Sequence, residues 1–177
     1  MRPVTPATKR LALLRHAKSS WSDPSLPDVD RPLAPRGKRA IAAMAEHLAQ
    51  AGIAPDLVLS SPARRAVETL DGARRGLPAD IEVRIEDSIY GTTATGLLRI
   101  VRLVPDDVVT LLVVGHNPCL EDLAHGLAGR GSPELLLRLG TKYPTGALAT
   151  LEYRGRWADL DWGTATLESF VVPRDLL

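Results

Sequence analysis

Leu11-Ala12-Leu13-Leu14-Arg15-His16-Ala17-Lys18 sets four apolar residues directly against an arginine and a histidine, with no polar position among the four. An apolar run bounded this way suits a strand buried on both faces, as in parallel sheets covered by helices on either side. In open α/β sheets the ligand crevice lies beyond the carboxyl ends of the strands. Arg15 and His16 emerge at that end, a permanent cation beside a candidate nucleophile. A strand is expected over about residues 10–15, with the reactive centre where it stops.

The rest of the chain alternates helical and strand signals. Ser19 to Arg36 is polar and carries Pro24, Pro27, Pro32 and Pro35, so it reads as a long functional loop forming one wall of the site. Ile41, Met44, Ala45 and Leu48 fall at helical spacing between Gly37 and about Ala51. Asp56 to Leu59 is a short apolar strand, with Ser61 as N-cap and Pro62 as first residue of a helix to about Arg75. Ile81 to Ile85 alternates as a half-exposed strand does, and Thr92 to Leu103 reads as a helix with Leu97, Leu98, Ile100 and Val101 inward.

Asp107 to Val114 is a second strongly apolar strand, followed by a helix from Pro118 to about Ala128. Gly146 to Tyr153 and Thr164 to Val172 read as strands pairing antiparallel across a polar loop that holds Trp157 and Trp162. This pattern predicts one α/β domain over 1–177: three layers, α/β/α, with a mostly parallel sheet and an antiparallel C-terminal edge. Residues 1–9 are expected to be a flexible leader.

Composition narrows the function. The chain has 177 residues, 45% hydrophobic and 24% charged, with a net charge of +1. That balance argues against nucleic acid or a polybasic membrane anchor as partner. A single cysteine, Cys119, allows no internal disulfide, and neither a signal peptide nor a membrane-spanning run is apparent. A cytoplasmic protein is expected. His, Cys, Asp and Glu do not cluster at ligand spacing, so neither metal nor cofactor is expected.

Three strand ends share one design: an apolar strand, a tight turn and basic side chains. They are Leu14-Arg15-His16, Leu59-Ser60-Ser61-Pro62-Ala63-Arg64-Arg65 and Val114-Gly115-His116-Asn117-Pro118. If the strands are parallel, the three ends gather two histidines and at least two arginines at one edge of the sheet. Two helix N-termini aim at the same place and favour an anion. Arginine's planar fork matches phosphate oxygens, and no acid lies in the three turns, so the inferred ligand is a phosphoryl group. His16 suits in-line attack on phosphorus; His116, protonated beside a bound dianion, suits holding the oxygens.

Leu13-Leu14-Arg15-His16-Ala17, Ser61-Pro62-Ala63-Arg64-Arg65-Ala66 with Thr69, and Gly115-His116-Asn117-Pro118 together resemble the histidine phosphatase superfamily, with its phosphoglycerate mutase-like fold. Arg15-His16-Ala17-Lys18-Ser19 and Arg31-Pro32-Leu33 followed by Gly37 look most like its SixA-type phosphohistidine phosphatase branch. The resemblance runs from about Leu11 to Ala128. It implies that His16 is phosphorylated and that Arg15, Arg65 and His116 bind the phosphoryl group, Arg65 rather than Arg64 matching the family's arginine. Arg31 is a further candidate for substrate contact, with Lys18 and Trp21 as rim residues.

Two departures stand out. Ala17 occupies a position where the family usually has glycine, and Glu86 and Asp87 lie where many members carry a general acid but fall in no clear motif. Members of the SixA-type branch lack that acid, and imidazole leaves more readily than an alkoxide. The resemblance therefore implies dephosphorylation of phosphohistidine in a protein, such as a phosphohistidine carrier domain. A phosphomonoesterase acting on a small phosphate ester and a non-catalytic phosphate-binding module are the alternatives. His47 and His125 read as surface or interface residues, and Cys119 as a packed thiol.

Overall fold

The computed structural model describes residues 6–177. The first apolar run forms β1 (Thr8–Arg15), and the proline-rich stretch leads to α1 (Pro35–Gln50), β2 (Leu57–Ser60) and α2 (Arg64–Ala73). There follow β3 (Glu82–Ile85), α3 (Ala94–Arg102), β4 (Thr110–Gly115), α4 (Cys119–Leu127), β5 (Ala128–Gly131) and α5 (Pro133–Thr141). Two strands, β6 (Leu148–Arg154) and β7 (Ala165–Val171), close the sequence of elements. All seven strands join one sheet in the order β3-β2-β4-β1-β6-β7-β5.

The alternating faces of β1 explain its unbroken apolar run. Leu11 and Leu13 enter the core built with α3, α4 and α5, whereas Ala12 and Leu14 enter the one built with α1 and α2. β4 divides likewise, Leu111 and Val113 on one side, Leu112 and Val114 on the other. Helices thus cover both faces, and a strand buried twice has no position for a polar side chain. The architecture is the expected three-layer α/β one. β1, β2, β3 and β4 run parallel to one another, so the Arg15, Ser60 and Gly115 ends open on one edge.

The C-terminal pair is antiparallel as expected and sits inside the sheet: β6 pairs with β1 as well as β7. The outermost strand is β5, which pairs parallel with β7. It begins at Ala128, where the helix after Pro118 was expected to end, and with α5 it occupies a stretch in which no further element was expected. The run Ala128-Gly129-Arg130-Gly131 carries no hydrophobic alternation that marks a strand. Gly129 packs so closely that a Cβ there would lie 1.9 Å from the Gly163 carbonyl oxygen, a contact only the folded chain reveals.

Several boundaries move. Of the leader expected over 1–9, residues 1–5 lie outside the described residues, and Thr8 and Lys9 belong to β1. Lys9 is 2% exposed; its ammonium donates to the carbonyls of Asp106 and Val108 and lies 5.8 Å from the Trp157 ring centre. A lysine satisfied by carbonyls can be buried, which its polarity in the sequence hides. Ser61 does not cap a helix beginning at Pro62. α2 starts at Arg64 behind Ala63, because the Ser61 hydroxyl instead accepts from the Ala63 N–H and meets His116. No helix among the described residues is long and apolar enough to cross a membrane.

Candidate active site

The three strand ends converge. His16 lies directly after β1 and His116 directly after β4, with ring centres 5.2 Å apart. Each is only 8% exposed. The His16 Nδ1 is 2.8 Å from the Ala17 carbonyl oxygen. A carbonyl only accepts, so Nδ1 carries the proton and Nε2 keeps its lone pair. Burial, chiefly, with repulsion from His116, Arg65 and Arg15, holds His16 down to about 3. Burial and then Arg65 likewise hold His116 down to about 4. In the free protein both rings are therefore neutral near pH 7.

The backbone carrying His16 is braced from two sides. The Ala17 N–H donates to Thr69 Oγ1 at 2.9 Å, and that hydroxyl donates back to the Arg65 carbonyl at 2.6 Å. On the other side the Gly146 N–H donates to the carbonyls of Arg15 and His16. Ala17 is fully buried, and no non-glycine residue among those described has positive φ. The departure from glycine at this position therefore carries no backbone penalty.

The two arginines come from different elements. Arg15 Nη1 donates to the Tyr143 carbonyl at 2.8 Å, and burial lowers its pKa, a shift partly opposed by Glu121. Arg65, in the first turn of α2, is 6% exposed while its neighbour Arg64 is exposed and paired to Glu68. Arg65 Nη1 and Nη2 meet the Asp28 backbone oxygen and carboxylate at 2.7 and 3.0 Å. Arg15 Nε, Arg65 Nε and His116 Nδ1 are buried without a hydrogen-bond partner. Buried polar groups left unpaired are costly, and their concentration at one point marks a site built for an anionic or accepting ligand.

The proline-rich loop brings a residue that sequence reasoning did not single out. Asp28, in a short 3-10 turn over Asp28–Asp30, accepts from Arg65 and from the Tyr90 hydroxyl on one oxygen and from Arg31 on the other. The Tyr90 bond and the two arginines hold its carboxyl well below the usual range. Tyr90 also sets its ring edge-on to His116, with centres 5.6 Å apart. Arg31 is held by Asp28, by the Ser19 hydroxyl at 2.8 Å and by the Trp21 ring 3.6 Å away. It thus meets Arg65 only through the shared Asp28 carboxylate. Lys18 lines a groove beside Arg15, whereas Trp21 is spread over Arg31.

Glu86 accepts from the Ser88 N–H and hydroxyl, and Asp87 is exposed. Cys119 is 3% exposed and donates from its thiol to the His116 carbonyl; burial pushes that thiol up, so it remains protonated. Of the other histidines, His125 lies on the surface against the Leu139 carbonyl and His47 is half-buried. The described residues contain no group of three or more His, Cys, Asp or Glu side chains placed to hold a metal ion.

Known proteins fit this geometry. Residues 11–99 match the family model of the histidine phosphatase superfamily, branch 1. An uncharacterized protein of Mycobacterium tuberculosis is 41% identical over 91% of this chain and 100% of its own length. A solved structure from Nakamurella multipartitia, provisionally assigned as the phosphohistidine phosphatase SixA, superposes with a TM-score of 0.84 at 31% identity, covering 96% of this chain and 99% of that one. A second with the same provisional assignment, from Agrobacterium tumefaciens, gives 0.80 at 30% identity over 93% and 98%. With two histidines and two arginines meeting at the ends of its parallel strands, the chain belongs to the SixA-type branch of the histidine phosphatase superfamily.

Proposed function

We propose that the protein removes phosphate from phosphohistidine in a protein substrate, through a covalent phosphoryl intermediate on His16. The observation that carries this reading is the His16 tautomer: Nδ1–H is tied to the Ala17 carbonyl and Nε2 is free, on a ring held neutral. The Nε2 lone pair attacks phosphorus in line, and the bond from phosphorus to the substrate nitrogen breaks. The substrate imidazole, protonated by solvent on its other nitrogen, leaves as a neutral ring with the electron pair of the broken bond. Water then attacks the phosphoryl group, the bond to Nε2 breaks, and inorganic phosphate departs. Arg15, Arg65 and a His116 that takes up a proton from solvent as the dianion binds neutralise the equatorial oxygens in both steps.

The substrate assignment is supported by the state of the acids near the site. Asp28 is ionised and shared among two arginines and Tyr90, Glu86 accepts from Ser88, and Asp87 is exposed, so the proposal relies on none of them to protonate a poor leaving group. An imidazole leaving group needs little such help. The relatives assigned to SixA point the same way.

The test is acid-quenched labelling with a phosphoryl donor, combined with a substrate panel. The wild type is expected to form an acid-labile phosphoenzyme and to hydrolyse a phosphohistidine-bearing carrier protein. His16→Ala is expected to lose both, by at least about 10³-fold in rate. Turnover of small esters alone would leave a phosphatase and remove the phosphoprotein. Absence of any phosphoenzyme in the wild type would point to a binding module.

A further inference from the structure

One cavity adjoins the site at Arg15, and a second continues outward from it. The inner one, about 460 Å³, has Arg15 in its lining together with Lys18, Arg36 and Lys142, with Pro144 and Pro173 as apolar lining. These cations come from four places: the end of β1, the turn after it, the first turn of α1, and the residue following α5. No Asp or Glu side chain lines the cavity, which Leu177 also borders. Among the described residues no carboxylate lies within ion-pair distance of any of the four. Glu121 acts on Arg15 from a distance and accepts from Asn117 at 3.1 Å.

A chain of net charge +1 has no general surplus of cations, so four unpaired ones around one concavity are a local feature. Their mutual repulsion is relieved by an anionic occupant. The groove also continues. An outer cavity of about 490 Å³ shares Lys142, Pro144, Thr145 and Pro173 with the inner one. It adds Arg174 and the apolar Leu137 and Phe170, with Arg138 already paired to Asp175 at 2.6 Å. A single small ester at Arg15 leaves this extension uncovered, whereas a polypeptide running away from the phosphorylated residue follows it.

We infer that this groove binds an acidic segment of the phosphoprotein substrate, carboxylates beside the phosphorylated residue pairing with Lys18, Arg36 and Lys142 while the phosphoryl group meets Arg15. The inference rests on the phosphoprotein reading above and adds to it the sequence class of the substrate. Because the groove is open to solvent, the attraction acts on encounter and is screened by salt.

Phosphohistidine peptides with one core and acidic, neutral or basic flanks provide the test, with the full chain as enzyme and a chromogenic phosphate ester as control. At low salt the acid-flanked peptide is expected to have a kcat/KM at least about tenfold above the neutral one, the gap closing as salt rises. Arg36→Glu with Lys142→Glu is expected to abolish or invert that preference and leave ester hydrolysis unchanged. Equal hydrolysis of all three peptides overturns the inference and leaves the phosphoprotein reading intact. An equal loss on peptide and ester in the double variant also overturns it. Hydrolysis of the ester but of no phosphohistidine peptide removes the phosphoprotein reading itself, and the groove assignment with it.

Discussion

At the level of single residues, the proposed reaction makes contrary demands on two buried imidazoles. His16 must be neutral to offer a lone pair, and its value of about 3 meets that at any pH near neutrality. His116, at about 4, is neutral in the free protein, and the proposed reaction has it take up a proton from solvent when a bound anion favours its charged form. Saturation with inorganic phosphate is therefore expected to raise the His116 pKa, read by NMR titration of the ring; an unmoved value would remove its electrostatic role. Thr69 is a second test. Thr69→Val deletes the acceptor of the Ala17 N–H and leaves that donor buried, with an expected loss of about 1–3 kcal/mol in denaturant unfolding and a fall in kcat. Arg15, His16, Arg65 and His116 were legible in the sequence because each sits in a contiguous motif. Asp28 and Tyr90 were not, since Asp28 lies 37 positions from Arg65 and 62 from Tyr90, with no local pattern joining them.

At the level of elements, precision in the site depends on how α1 docks against the turn after β1. The Ala34 N–H donates to the Lys18 carbonyl at 2.8 Å, and a Cβ on Gly37 would lie 2.2 Å from that same oxygen. Gly37→Ala is expected to push α1 outward and destabilise the protein by about 1–3 kcal/mol, measured as a lowered unfolding midpoint. It should also reduce activity, because the displaced turn carries Lys18 next to the Ala17–Thr69 brace. The helix periods of α1, α3 and α4 were readable to within a few residues. The start of α2 was not, because Ser61 has every local qualification of an N-cap and is recruited by His116 instead.

For the molecule as a whole, the site exacts a pH-dependent cost in stability. Both strand-end histidines, His16 and His116, bind protons more weakly folded than unfolded, where the ordinary value is 6.5. Above pH 6.5 the two states are alike. As pH falls towards 4 the unfolded chain takes up protons that the folded chain refuses, so stability drops, by at most about 1.4 kcal/mol per pH unit for each ring. Asp28 adds to the loss at lower pH, since its depressed carboxyl stabilises the fold only while ionised. Unfolding midpoints in urea are expected to decline from pH 7 to pH 5, and the double variant His16→Ala/His116→Ala to decline less steeply. An identical slope in the two proteins would show that the imidazoles are not the cause.

By itself the amino-acid sequence determined most of the buried strands and amphipathic helices, β5 and α5 excepted, and it set two histidines and two arginines at the ends of three strands. Such features are short-range: apolar period and contiguous motif are written within a dozen residues. Only the tertiary structure decided that β1 lies between β4 and β6, that β5 joins the far edge, and that Lys9 is buried. It alone closed Asp28 onto Arg65 and drew Lys18, Arg36 and Lys142 around one groove. Those contacts join residues far apart in the chain. Periodicity records which face of an element is buried, whereas its neighbour is chosen by packing and by the pairing of buried polar groups.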